Sequence, residues 1–256
     1  MIDYKKARKI FEEYLQCYDL NDDKIKLKVN HTYRVVSESE FICRELELNE
    51  ENVQLGKVIA LFHDIGRFGE VKSFKHFVDL GIHDHGLLGQ KILFDSLYIR
   101  NFIEDDKYDS IISKAIYNHN KYKIEDNLEE NELLHSKIIR DADKLDNFMV
   151  KKQEKFKDIA NISEYNLKNG YISKDVYDDF MNCKSILTSK RRTDLDFWVS
   201  ILAFIFDINF KCTFKRIKEE NYINILIDRI NYENNDTKIK MEKIREFAND
   251  YINNRC

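Results

Sequence analysis

Apolar residues recur along most of the chain at spacings of three and four, the signature of helices with one face turned to a core. This pattern predicts helices near residues 3–18, 31–47, 51–65, 85–99, 108–119, 132–151, 174–187, 193–210, 215–231 and 238–253. Zero prolines and only seven glycines remove most helix breakers and leave few strand or turn signals, so the expected class is all-α. The pattern is weakest around Asn161 to Tyr171, where polar residues and Gly170 read as a loop between the first helices and a C-terminal helical group. Phe197 to Phe206 is the longest apolar run. Ser200 breaks it, and it is about half the ~20 residues a membrane span needs, so it reads as a buried core helix.

Two segments within the helical pattern carry unusual residues. Glu51 to Gly66 (ENVQLGKVIALFHDIG) reads as a helix with Val53, Val58, Ile59, Leu61 and Phe62 inward, stopped by Gly66. His63 and Asp64 then fall in its last turn, where the partial negative charge of the helix end favours a cation. Neighbouring residues lie about 100° apart around a helix, so both can approach one cluster, with the carboxylate free to bridge two ions. In Leu133 to Lys151, Leu134, Ile138, Ala142, Leu145 and Met149 mark a buried stripe that Ile139 and Val150 widen. Asp143 falls inside it, where a carboxylate is costly without a cation or several donors.

Further histidines extend the set. Asn30 is placed to cap a helix beginning at His31, with Arg34 one turn on. A helix starts near His85 in IHDHGLLGQKIL, and Ile111, Ala115 and His119 recur every four residues, putting His119 on an apolar face. Histidine and carboxylate ligands together suit Fe, Mn, Co, Ni or Zn better than Ca or Mg, and one or two such ions would fit these residues. His76, His83 and His135 have no supporting pattern and read as structural or exposed.

The 256 residues suffice for one sizeable domain and its core. With 43% hydrophobic and 34% charged residues, the composition is that of an ordinary globular protein. The 42 Lys and Arg against 46 Asp and Glu give a net charge of -4, which lacks the basic field expected of a duplex-binding protein. Cys17, Cys43, Cys183, Cys212 and Cys256 are odd in number and widely spaced, as expected of reduced thiols. Met1 to Tyr14 is charged and amphipathic where a secretory signal would be continuously apolar, so a cytoplasmic location without a membrane partner is expected.

The ordered series His31, His63-Asp64 and Asp143 within RDADKLDN resembles the H…HD…D signature of the HD superfamily of metal-dependent phosphohydrolases. LFHDIGR, the element His85-Gly86-Leu87-Leu88-Gly89 and His119 resemble the subgroup in which two extra histidines bind a second metal. The resemblance covers roughly residues 28 to 150, and similarity to bacterial HD-domain phosphohydrolases continues, less specifically, into SKRRTDLDFWVSILAFIFDI. It implies a single HD-type helical bundle over 1–256, with a metal-binding core near 28–150 and a C-terminal extension near 172–256 that could close the pocket, set specificity or form a homodimer. Asp141 and Asp146 could each take the place of Asp143; the resemblance favours Asp143.

The chain departs from the better-defined subfamilies. It lacks the Gly-Tyr-Pro triplet of cyclic-di-GMP phosphodiesterases, has Asn118-His119 where that group has a His pair, and is too short for alarmone synthetase-hydrolases. The implied reaction is hydrolysis of a small phosphorylated molecule, a nucleotide or cyclic nucleotide, with Asp64 orienting the attacking water. Arg67, and after it Arg34 and Lys144, would bind phosphate. The run Lys190-Arg191-Arg192 reads as a solvated face. The same superfamily includes di-iron oxygenases, which would use the same ligands, and a non-catalytic nucleotide-binding sensor is the other alternative.

Overall fold

The computed structural model describes residues 2–72, 84–156, 159 and 162–256. His76 and His83 lie outside them. The described residues form helices and no strands, and no described helix is long and apolar enough to cross a membrane. The chain forms two compact units, Met1–Asp143 and Lys144–Cys256.

The first unit contains α1 (Tyr4–Leu15), α2 (Asp23–Glu45), α3 (Glu50–Phe62), α4 (Ile65–Lys72), α5 (His85–Phe94), α6 (Asp109–Asn118) and the start of α7 (Glu130–Gln153). Asp3 starts α1 by accepting from the amides of Lys5 and Lys6, and Ala7, Phe11 and Leu15, four residues apart, form its buried stripe. α3 is apolar on nearly all sides. Val53, Leu55, Val58, Ile59, Ala60, Leu61 and Phe62 are all buried, which makes it the central helix of this unit. Phe11 of α1 meets Phe62 and Phe68 edge to face at 5.7 and 5.8 Å, and Phe62 stacks on Phe102 at 4.4 Å. These rings pin the chain on either side of His63-Asp64.

Three helix ends of this unit differ from the sequence expectation in ways that bear on the site. α2 does not begin at His31 under an Asn30 cap. It begins at Asp23, with the Asp22 carboxylate accepting from the amides of Lys24 and Ile25, so His31 lies in the helix interior. α3 does not run to Gly66: it ends at Phe62 with His63 as its C-cap, and α4 starts at Ile65 and contains Gly66. Gly66 is needed there for close approach. A Cβ on it would lie 2.3 Å from the His85 carbonyl oxygen and 2.9 Å from the Gly89 nitrogen, so its missing side chain is what lets α5 pack on α4. The helix expected over 85–99 ends at Phe94, and a 3₁₀ turn at Tyr98–Asn101 follows Leu97, whose φ is 53°.

The second unit contains the end of α7, then α8 (Glu164–Asn169), α9 (Lys174–Met181), α10 (Asp194–Leu202), α11 (Lys211–Glu219), α12 (Tyr222–Asp228) and α13 (Asn235–Asn253). The loop expected around Asn161 to Tyr171 holds α8, with Ser163 at its cap and Leu167 buried; Asn161 itself lies outside the described residues. The helix expected over 215–231 is two, because Asn221 takes a left-handed conformation with φ 53° between α11 and α12. The apolar run is core, as expected: Trp198, Val199, Ile201, Leu202, Ala203 and Ile205 are buried, and the Trp198 indole donates to the Leu226 carbonyl at 3.2 Å. The basic run is paired rather than merely solvated, with Lys190 on Asp179 and Arg192 on Asp175.

Candidate metal centre

Six side chains from five elements of the first unit converge. His31 comes from the interior of α2, His63 caps the C-terminus of α3, and Asp64 lies between α3 and α4. His85 is the first residue of α5, His119 caps the C-terminus of α6, and Asp143 comes from α7. All six candidate ligands are therefore brought together.

The Asp64 carboxylate lies at the middle. Its Oδ2 is 3.6 Å from His31 Nε2 and 3.8 Å from His63 Nε2. Its Oδ1 is 3.5 Å from His85 Nε2 and 3.6 Å from His119 Nε2. Asp143 joins the first pair: its Oδ1 is 3.2 Å from His31 Nε2 and 3.8 Å from His63 Nε2. The donor atoms thus fall into two groups that could each hold an ion, one with His31, His63 and Asp64 and one with Asp64, His85 and His119.

Local backbone geometry aims two of the rings. His63 Nδ1 lies 2.7 Å from the Ala60 carbonyl oxygen and His119 Nδ1 lies 2.6 Å from that of Ile116. A carbonyl can only accept, so each Nδ1 carries the proton and each Nε2 presents a lone pair to the cluster. The carbonyls are of the kind a helix end leaves without a helical partner. His119 Nε2 is buried and has no hydrogen-bond partner among the described residues. A buried lone pair without a donor is costly, and a cation would satisfy it, so the residues fit a metal.

Protonation agrees with that fit. Burial pushes the His63 imidazole down to about 4 and that of His85 down to about 2, so both are neutral at neutral pH. Burial alone would raise Asp64, but the opposing charges, led by the Lys28 ammonium, hold it well below the usual carboxylate range. Burial likewise acts to raise Asp143, but the hydrogen bond from His31 together with the charges of His31 and His63 lowers it. His63, His85, Asp64 and Asp143 therefore stand in the unprotonated forms a metal requires.

The surrounding charges are less evenly gathered. Arg67, in the first turn of α4, brings Nε to 3.9 Å from Asp64 Oδ1, and its side chain is 40% exposed. Arg34 lies one turn beyond His31 on α2 and is half-buried. Lys144 is buried with its ammonium 2.7 Å from the Asp207 carboxylate, so its charge is already engaged. Asp141 and Asp146 are buried, and Asp143 reaches His31 and His63. His135 is structural, as expected: it is buried, with Nε2 3.0 Å from Asn52 Oδ1.

Two neighbours were missed in the sequence. Lys28 places Nζ 2.9 Å from Asp64 Oδ2. It precedes His31 by three residues, a spacing that would have put the two on one helix face had the Asp22 cap been recognised. Arg140, one turn before Asp143, is almost fully buried and donates to the carbonyls of Asn118 and Lys121 at 2.6 and 2.7 Å, tying down the end of α6 that carries His119.

Residues 29–147 match the family model of the HD domain. No curated protein and no solved structure matches the chain.

Proposed function

The chain carries an HD domain over residues 29–147, and from that premise we propose that it is a metal-dependent phosphohydrolase with a binuclear centre. HD domains mark a superfamily of metal-dependent hydrolases, most of them phosphohydrolases. The observation that carries the binuclear reading is the division of Asp64: one carboxylate oxygen faces His31 and His63, the other faces His85 and His119.

His31, His63, Asp143 and Asp64 Oδ2 would hold one divalent transition metal, and Asp64 Oδ1, His85 and His119 the other. Such ions, when bound, supply the Lewis acidity that acidifies water and draws charge from a phosphoryl group. The protein's part is positioning. Asp64 fixes the spacing of the two halves, and the main-chain carbonyls of Ala60 and Ile116 keep the rings of His63 and His119 on target. Arg67, partly exposed beside Asp64, is suited to bind phosphoryl oxygens, with Arg34 a second candidate on α2. Lys144 is buried with its ammonium on Asp207, which makes it the least accessible of the three. The substrate class is a small phosphate ester, a nucleotide or cyclic nucleotide.

Elemental analysis of anaerobically purified protein and of His85→Ala and Asp143→Ala variants tests this, together with turnover of a panel of phosphate esters. Near two transition metals per chain, about one in His85→Ala and much less in Asp143→Ala, with ester hydrolysis by the wild type, is the expected result. Metal without hydrolysis of any ester would overturn the hydrolytic reading. Iron with oxygen consumption would replace it by an oxygenase, because the same His and Asp ligands suit iron.

A further inference from the structure

Lys28 brings an ammonium directly against the metal ligand Asp64, and neither metal binding nor phosphoryl binding by Arg67 and Arg34 uses it. It lies on α2, one turn before His31, with Nζ 2.9 Å from Asp64 Oδ2 and a side chain that is 33% exposed. Asp64 itself is only 5% exposed, so the lysine stem reaches from the solvent edge down to the buried carboxylate. Its aliphatic part can run along the protein while the ammonium moves.

The same oxygen, Oδ2, is the one that faces His31 and His63. An ammonium and a divalent cation sharing one carboxylate oxygen would stand only about 4 Å apart, given metal–oxygen distances near 2 Å. Two like charges that close repel strongly in a site this dry. The shared carboxylate oxygen offsets only part of that repulsion, and it is relieved further when the ammonium turns toward another anion nearby. A phosphoryl group held at the metals supplies that anion: it presents several charged oxygens, and a lysine ammonium offers three donors on a flexible stem.

We infer that Lys28 is a substrate-binding residue, which leaves the Asp64 carboxylate on metal loading and donates to a non-bridging phosphoryl oxygen on the His31 and His63 side of the centre. This rests on the phosphohydrolase reading. It gives the site a cation on each side of Asp64, with Arg67 beside Oδ1 and Lys28 beside Oδ2. A group bound between two such cations is best a terminal phosphoryl group, whose oxygens are charged on more than one side.

The test uses the full chain loaded with Mn(II), with inorganic phosphate as the probe, in wild type, Lys28→Ala and Lys28→Arg. Phosphate affinity is measured by calorimetry and metal content by elemental analysis on the same samples. Losing one charge-assisted hydrogen bond corresponds to roughly tenfold in affinity. Expected is a fivefold or greater loss of phosphate affinity in Lys28→Ala at unchanged metal content, with partial recovery in Lys28→Arg and a rise in KM larger than the fall in kcat for any ester turned over. A smaller loss of affinity overturns the inference, as does a matching loss of metal, which would make Lys28 a support for Asp64. Wild type that hydrolyses esters while Lys28→Ala binds phosphate equally well sinks this inference alone. Wild type that neither binds phosphate nor hydrolyses any ester takes the phosphohydrolase reading down with it.

Discussion

Replacing Gly66 with alanine tests how the second half of the site is built. Within α4, alanine is favoured over glycine by about 1 kcal/mol, so on propensity alone the change stabilises. The packing says otherwise: the new Cβ would meet the His85 carbonyl oxygen at 2.3 Å and the His85 carbonyl carbon at 3.2 Å. That is short of ordinary contact by roughly 1 Å, and the opposing atoms are main chain, which has no rotamer to change. Overpacking of this kind costs about 1–3 kcal/mol, and the rigid partner argues for the upper end, leaving a net loss of about 2 kcal/mol. In a chain of this size that is a fall in melting temperature of roughly 4–8 °C. The clash also moves α5 at the residue that carries the ligand. A shift near 1 Å at His85 far exceeds the ~0.2 Å tolerance of a metal–ligand bond, so metal content should drop toward one ion per chain while the His31 side stays loaded. Gly89→Ala is the control, because its Cβ would meet the Cγ2 methyls of Ile116 and Ile65 at 3.3 Å and its one main-chain neighbour, the Gly66 nitrogen, at an ordinary 3.7 Å. The assay is a thermal melt of the metal-free protein with elemental analysis of the loaded one. Gly66→Ala protein that melts with the wild type and keeps both ions would refute the reasoning.

Asp64→Ala is expected to lose both ions, since each half-site uses one of its oxygens, whereas His119→Ala should keep about one; equal metal content in the two variants would contradict the bridging role. Arg140→Met removes the donors to the Asn118 and Lys121 carbonyls and should cost about 3 kcal/mol in urea denaturation, with Arg140→Lys in between; a loss below 1 kcal/mol would show that the end of α6 is held by other means. His135 is pushed down to about 4 by burial, below its unfolded value near 6.5. The unfolded chain therefore takes up that proton first on acidification. The stability tied to neutral His135 is complete above pH 6.5 and is lost as pH falls toward 4, by about 3 kcal/mol. Metal-free His135→Gln should accordingly show a flatter decline than wild type between those limits, and parallel curves would mean that His135 does not titrate there.

The helical class was legible because long amphipathic segments such as α1 and α13 repeat their apolar residues at the helical period over several turns. The start of α2 was not, because Lys24-Ile25-Lys26-Leu27-Lys28-Val29 alternates charged and apolar residues, masking a helix of which only Ile25 is fully buried before His31. That one misreading also hid Lys28. Gly66 was read as a stop because glycine ends helices so often; its use as a contact point depends on α5, which is remote in sequence. The ligand series was legible from its order and spacing. The split of the Asp64 oxygens between two pairs of rings was not, since it depends on how the middle of α2 and the ends of α3, α5 and α6 face one another.

The rings of His63 and His119 are aimed by main-chain oxygens one turn back, and a point substitution cannot delete a peptide carbonyl. The ligating geometry is therefore inherited with the helix ends themselves. The partly exposed cations beside Asp64, Lys28 and Arg67, can be exchanged without touching that aim. Divergence in what is bound and constancy in how the metal is gripped would then be governed by separate parts of the chain, so a mutational library confined to these cations is the natural place to redirect specificity.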